Sequence, residues 1–338
     1  MNAESLPNLW TRRRFLGGSG ALLAAGLLTP PALRATTVNG IPYLSLRTVA
    51  GKLGMKTEWR KRAEVLRLAS QWTTMDFTLH QRAMSLNQVN VHLGFPVAER
   101  RSMLHIGEID YDAHLQPILT PQQSGPPPQL RRIVLDPGHG GKDPGAENKS
   151  VRINEKNTAL DVTRRLRRRL QAQGYEVLLT REDDRFIELT DRSAFANRNR
   201  ADLFISLHFN AATSRQVRGV ETFIFTPLNQ PSTGRNSLHR SDRRTYSGNR
   251  SDAWNALLGY YTQREVVAGL NARDRGLKRA RFTVLRDLLM PGMLVEGGFL
   301  SNTADARNIG SAGYRQKLAD AVAAGVRSYQ QTLTRLAA

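Results

Sequence analysis

Three segments of this 338-residue chain end an apolar run on residues able to hold a metal or move a proton. Leu135 is followed by Asp136-Pro137-Gly138-His139-Gly140-Gly141, Leu207 by His208-Phe209-Asn210-Ala211, and Val295 by Glu296-Gly297-Gly298. In open α/β sheets the reactive groups collect just beyond the carboxyl ends of strands, and all three segments have that placement. Glycines after His139 and Glu296 allow sharp turns and leave room for a large ligand. A fourth residue, Glu155, stands in Asn154-Glu155-Lys156-Asn157 at the start of an amphipathic helix. Alone, Glu155 reads as a first-turn carboxylate favoured by the helix dipole by roughly 0.3–1 kcal/mol. Each histidine alone reads as a satisfied structural group. Together, two imidazoles and a carboxylate on adjoining strand and helix ends match a zinc (Zn2+) set with an open fourth position. Glu296 then has the place of the general base for hydrolysis by activated water.

The elements that must position these residues follow from periodicity. Ile133-Val134-Leu135 predicts a buried strand, and Ala159, Val162, Leu166 and Leu170 recur at helical spacing with arginines on the other face. Further strands are expected over 175–179, 203–207, 220–225 and 293–295. Helices are expected from Asp191 with Thr190 as cap, over 253–270, and from about Ala312 to the end. Strands alternating with helices imply an α/β fold, a mostly parallel or mixed twisted sheet flanked by helices on both faces. This domain occupies residues 131–338.

Ahead of it, residues 37–120 read as a small α+β domain. Val38 to Tyr43 is a turn between strand-like residues, and Leu46, Val49, Ala50 and Leu53 have helical spacing that ends at Gly54. Strands are expected over 65–68, 75–79 and 88–92. His80, His92, His105 and His114 show no ligand-like spacing and read as surface or core histidines. Between the two domains, residues 121–130 hold four prolines, which predicts an extended spacer.

Cysteine is absent, which excludes disulfides, thiolate metal sites and cysteine nucleophiles. The net charge of +20 calls for a polyanionic partner, either nucleic acid or a cell-envelope polymer. Residues 1–35 decide between them. Thr11-Arg12-Arg13-Arg14-Phe15-Leu16 precedes a short apolar run, Ala21 to Leu28, a signal-peptide pattern too short to span a membrane. Its Arg-Arg-x-Phe-Leu core resembles the bacterial twin-arginine export signal. Removing residues 1–35 takes four arginines and one glutamate, which leaves +17 on an exported protein. Export favours peptidoglycan and anionic envelope polymers in the periplasm or cell envelope, with no nucleic acid and no transmembrane span after signal removal.

The spaced motifs resemble those of the zinc-dependent N-acetylmuramoyl-L-alanine amidases of the type-3 family, in family order. They are Asp136-Pro-Gly-His139-Gly-Gly, Asn154-Glu155-Lys156, Leu179-Thr180-Arg181, Ser206-Leu207-His208-x-Asn210-Ala211, Gly219-Val220-Glu221-Thr222 and Val295-Glu296-x-Gly298-Phe299-Leu300-Ser301-Asn302. The resemblance implies that His139, Glu155 and His208 are zinc ligands and Glu296 the catalytic carboxylate. The implied reaction cuts the amide between N-acetylmuramic acid and L-alanine of peptidoglycan. Residues 37–120 resemble the amine oxidase N-terminal-like module, through Tyr43-Leu44-Ser45-Leu46-Arg47-x-Val49-Ala50-x-x-Leu53-Gly54.

Other groups keep two readings. Arg181 and Arg192 either bind stem-peptide carboxylates or pair with Asp183, Asp184 or Asp191. Asn210 and Glu221 either support the zinc ligands or make structural hydrogen bonds. Residues 228–259 form a polar, basic insertion, and His239 within it reads as solvated. In some members of the family a helix here covers the site until a partner protein removes it; this stretch is too polar for a docked plug and suggests a substrate-binding or mobile lid. Two rival functions stand beside the amidase: a zinc peptidase acting on stem peptides, and a non-catalytic wall-binding protein.

Overall fold

The computed structural model describes residues 36–338. The twin-arginine segment lies outside the described residues. Among the described residues no helix is long and apolar enough to cross a membrane.

The four strands Glu176–Leu179, Arg132–Pro137, Leu203–Asn210 and Gly292–Phe299 lie side by side and parallel. Val220–Phe225 joins the last of them antiparallel, and Asp274–Ala280 runs parallel to Val220–Phe225. These strands carry near-continuous apolar runs because both faces are covered. Ile133, Leu135, Ile205, Leu207, Met293 and Val295 enter a core closed by the helices Glu155–Gln171, Asp252–Leu270 and Ala312–Ala337. Val134, Phe204, Leu294 and Phe225 enter a second core on the opposite face, with Ala196, Val284 and Leu285 from two further helices. The mixed sheet covered on both faces is the architecture expected.

Boundaries differ in detail. The Leu189–Arg198 helix begins before Thr190, and its N-cap position is Glu188 without a side-chain cap. The strand Asp274–Ala280 was not expected, because Leu277 is its single strongly apolar residue.

The N-terminal part does not sit apart on a spacer. Its strands Val89–His92, Ala83–Leu86, Thr74–Thr78, Val65–Ala69 and Lys56–Lys61 continue the same sheet, which reaches eleven strands. The junction is Leu277 beside Val91. Burial alternates along Val89–His92, Ala83–Leu86, Thr74–Thr78 and Val65–Ala69, as in a sheet with one face packed and one open, while the edge strand Lys56–Lys61 is exposed throughout. Gly54 ends the Leu46–Leu53 helix in the left-handed region, as the pattern predicted, and Ser45 caps its start. The proline-rich connection holds a helical turn at Pro121–Gln123, and Pro121 and Leu130 are buried. Proline density signals stiffness, but apolar residues at both ends dock this one against a shared core.

A buried polar chain fastens the junction. Arg279 Nε donates to His114 Nδ1 at 3.0 Å, His114 Nε2 bonds Gln230 Oε1 at 2.9 Å, and Gln230 Nε2 donates to Asp110 Oδ1 at 2.8 Å. Asp110 also accepts from the backbone N–H groups of Gly94 and Phe95. All four side chains are 0–1% exposed. Burial, reinforced by Arg279, holds the His114 imidazole well below its usual pKa, so it is neutral and relays one proton direction along the chain. Burial pushes Asp110 up to about 6.

Gln230 belongs to the insertion, and this overturns the lid expectation. The insertion leaves the sheet at the carboxyl end of Val220–Phe225, where Ile224 pairs with Met293. Glu221 pairs with Glu296 at the other end of that strand, so the insertion departs from the far edge. It is docked there: Asp242 is fully buried and bonded by Arg235, Arg281 and the His239 N–H. His239 caps the Arg240–Arg243 turn. Deleting residues 230–250 strands His114, Asp110 and Arg279 in the core, at a cost of about 3 kcal/mol or more. The expected outcome is insoluble protein or a melting temperature at least about 6 °C lower, and no gain of activity; a stable variant with higher turnover would return the insertion to an inhibitory role.

Candidate active site

The site is built where three parallel strands end. Gly138 follows the Arg132–Pro137 strand and its N–H bonds Leu207 O, which ties the first strand end to the second. His139 then adopts φ +60°, a left-handed backbone that costs a non-glycine residue of order 1–3 kcal/mol. Buried polar groups hold it there. Arg192 donates to Asp136 Oδ1, Pro137 O and His139 O. Arg181 donates to Pro137 O, Gly138 O, Lys156 O and Asp183 O. Asp136 is fully buried and also accepts from Thr180 and Ser206. Lys156 and Asp184 clamp Gly141 from outside.

Arg181 and Arg192 are therefore corrected. At 0% and 2% exposure, with donors spent on this loop, neither faces a substrate carboxylate. Nor is their partner the carboxylate of Asp183, Asp184 or Asp191; Arg192 pairs with Asp136, and Arg181 meets Asp183 through its backbone oxygen. They are positioning residues for His139.

Glu155 opens the Glu155–Gln171 helix behind the Asn154 cap. Its Oε1 lies 3.0 Å from His139 Nε2 and 2.8 Å from His208 Nδ1. Backbone N–H groups of Phe209 and Ala146 hold the two carboxylate oxygens at 3.0 and 2.8 Å. Burial pushes the Glu155 carboxyl up, but the bonds from His139 and His208 outweigh it and hold the group well below the usual range. The two imidazole rings meet edge to face at 4.9 Å. Asp143 Oδ2 stands 2.7 Å from His139 Nδ1 and fixes the ring. The sequence reading missed Asp143; its position four residues after His139 was the available signal.

Glu296 lies in register between His208 on one side and Glu221 on the other. A bulge follows at once, where Asn210 pairs with Phe299, and Gly298 at φ +135° lets the chain turn out of the sheet. Burial, the Glu155 charge and the Glu221 charge together raise the Glu296 carboxyl well above its ordinary pKa. Glu221 itself is bonded by Asn210, Arg275 and Lys278. So Asn210 and Glu221 do not touch the histidines; they form the wall beside Glu296.

The donor set suits a metal ion. One ligand atom from each of His139, Glu155 and His208 fits within 4.8 Å of the other two. The backbone leaves them space: a Cβ on Gly138 would run into the His208 ring, and one on Gly145 would lie 2.6 Å from Glu155 Oε2 and 2.7 Å from His139 Cδ2. Glu296 Oε2 is buried without a hydrogen-bond partner, an expensive arrangement unless something bound at the site engages it. A cation among the three ligands also offsets the Glu155 charge that opposes ionisation of Glu296.

A two-histidine, one-carboxylate cluster at the strand ends of an α/β sheet, with a buried carboxyl opposite, has the makeup of a metallohydrolase site. Residues 133–328 match the family of N-acetylmuramoyl-L-alanine amidases, and the chain belongs to that family. The amidase AmiC of Neisseria meningitidis is 36% identical over 222 residues, 59% of this chain and 53% of that protein. The chain thus spans about half the length of that relative. An N-acetylmuramoyl-L-alanine amidase from Clostridium difficile 630 is 31% identical with a TM-score of 0.50, covering 60% of this chain and 98% of that one. The CwlD amidase from Clostridioides difficile, solved in complex with the GerS lipoprotein, is 27% identical with a TM-score of 0.51 and covers 60% and 99%. Residues 133–328 are thus an N-acetylmuramoyl-L-alanine amidase domain.

Proposed function

We propose that the chain hydrolyses the amide between N-acetylmuramic acid and L-alanine in peptidoglycan, with zinc held by His139, Glu155 and His208. The observation that carries this is the buried, unpartnered Oε2 of Glu296 beside that donor set. When bound, zinc supplies a Lewis acid that acidifies water and draws charge from a carbonyl. Glu296 Oε2 takes the proton of the attacking water and returns it to the departing L-alanine nitrogen. Glu221, with Arg275 and Lys278 on it, keeps Glu296 walled from solvent. Asp143 holds the His139 ring in one tautomer.

The same reading places the enzyme outside the cytoplasm. The twin-arginine pattern of residues 12–16 supports export to the periplasm or cell envelope, and a charge of +17 after residue 35 suits anionic envelope polymers. The complex of the CwlD relative with the GerS lipoprotein supports a protein partner for this chain as well. Residues 37–120 carry the capped helix of the amine oxidase N-terminal-like resemblance.

Chelation tests the metal assignment. Protein stripped by a chelator is expected to lose amidase activity and regain it with one equivalent of Zn2+. Full activity in metal-free protein would end the zinc reading.

A further inference from the structure

The edge of the sheet that carries the metal-binding residues does not stop at the amidase domain. Glu221 and Glu296 are paired on it, and Val220 is paired with Asp274 one strand further out. Asp274 then holds Asn90, accepting from its N–H at 2.6 Å and from its side-chain amide at 3.2 Å. Asn90 is the second residue of the Val89–His92 strand, whose turn at Asn87-Gln88 stands on the same edge. Asn87 bonds Thr74 in both directions, its Oδ1 accepting at 2.8 Å and its N–H donating to Thr74 O at 2.9 Å. Thr74 closes the neighbouring hairpin, whose tip is Ser70-Gln71-Trp72-Thr73. An unbroken run of pairings thus leads from Glu296 to Trp72, winding with the twist of the sheet. Five strand steps of about 4.8 Å set the hairpin strand about 24 Å from the Gly292–Phe299 strand.

Trp72 is 40% exposed on that tip. Nothing in the turn requires an indole there. The turn is rigid: Ser70 Oγ accepts from the N–H groups of Trp72 and Thr73, and Ser70 N–H bonds Thr73 O at 2.8 Å. Gln71 and Gln88 are exposed beside it. In a chain of net charge +20, the two adjoining tips, 70–73 and 87–88, carry no charge at all. An exposed indole flanked by amides suits a neutral polyhydroxylated ligand, whose ring C–H face lies on the indole while its hydroxyl and acetamido groups meet the amides.

We propose that Trp72, with Gln71 and Gln88, is a distal subsite for the glycan strand of the polymer whose amide is cut at Glu296. The N-terminal strands then lengthen the substrate edge of the catalytic sheet. This rests on the amidase reading, and its test is read in protein that does not turn over.

The experiment measures binding of Glu296→Gln protein to insoluble peptidoglycan sacculi, alone and combined with Trp72→Ala. Leu289→Ala is the control, an exposed apolar residue (55%) just ahead of Gly292, at the amino end of that strand and so on the opposite edge. The Trp72 variant is expected to bind about tenfold more weakly, the Leu289 variant as tightly as its parent. A soluble β-1,4-linked N-acetylglucosamine hexamer is expected to compete with the parent, and free stem peptide not to. Equal binding by parent and Trp72 variant overturns the subsite, and so does competition by stem peptide alone. Failure of the amidase reading would appear elsewhere, in the products released by unsubstituted enzyme.

Discussion

Glu296→Gln is expected to lower amidase turnover by about 10²- to 10⁴-fold while leaving the bound metal in place. The substitution keeps the shape of the side chain and removes its ability to take a proton. Glu296 is not among the three mutually close ligand atoms, so metal content should not change. Its buried position, 8% exposed between His208 and Glu221, also predicts how the loss divides. A group that acts on the reacting proton lowers kcat, and substrate binding along the rest of the edge persists. Metal content and kcat measured on the same preparation check this. Retained turnover would remove Glu296 from the chemistry, and lost metal would move it into the ligand set.

His208→Ala is expected to do the reverse first: metal affinity falls by more than a hundredfold, and activity disappears with it. Glu155 then loses its imidazole partner at 2.8 Å and keeps His139 at 3.0 Å and two backbone N–H groups. Asp143→Ala supplies the graded comparison. Asp143 touches His139 only at Nδ1, so its removal should weaken metal binding by about ten- to a hundredfold without abolishing it. Competition against a chromophoric chelator measures both. Equal metal affinity in His208→Ala would refute ligation, and an Asp143→Ala loss as large as that of His208→Ala would make Asp143 a ligand.

The residues of the proposed site were readable because of where parallel strands put them. Strands buried on both faces appear as unbroken apolar runs, so His139, His208 and Glu296 stand out as polar residues at their ends. Glu155 was readable only with the others, since a first-turn carboxylate is ordinary by itself. The supporting residues were not readable. Arg181 and Arg192 have the composition of surface residues, and only the fold brings six backbone carbonyls and Asp136 around them. Asn210 and Glu221 were placed near the site, but their register against Glu296 depends on an antiparallel pairing no local pattern announces.

The union of the two halves was hidden for a similar reason. Asp274-Arg-Gly-Leu-Lys-Arg-Ala280 has none of the apolar signature of a central strand, because Arg279 is buried through hydrogen bonds to His114 and His92. The proline-rich stretch 121–130 then read as a boundary between independent bodies, and the polar insertion read as a lid. Once Gln230 is seen bonded to Asp110 and His114, both belong to one core, at the edge of the sheet away from His139, Glu155 and His208.

The identity of the bond cut at this site is the claim on which the rest depends. Mass spectrometry of purified sacculi digested by the unsubstituted enzyme reads it directly. The products expected are intact stem peptides with a free L-alanine amino group and glycan strands bearing free lactyl carboxylates, both missing from a Glu296→Gln digest. Stem peptides cut internally, with the muramoyl–alanine amide intact, would contradict the account.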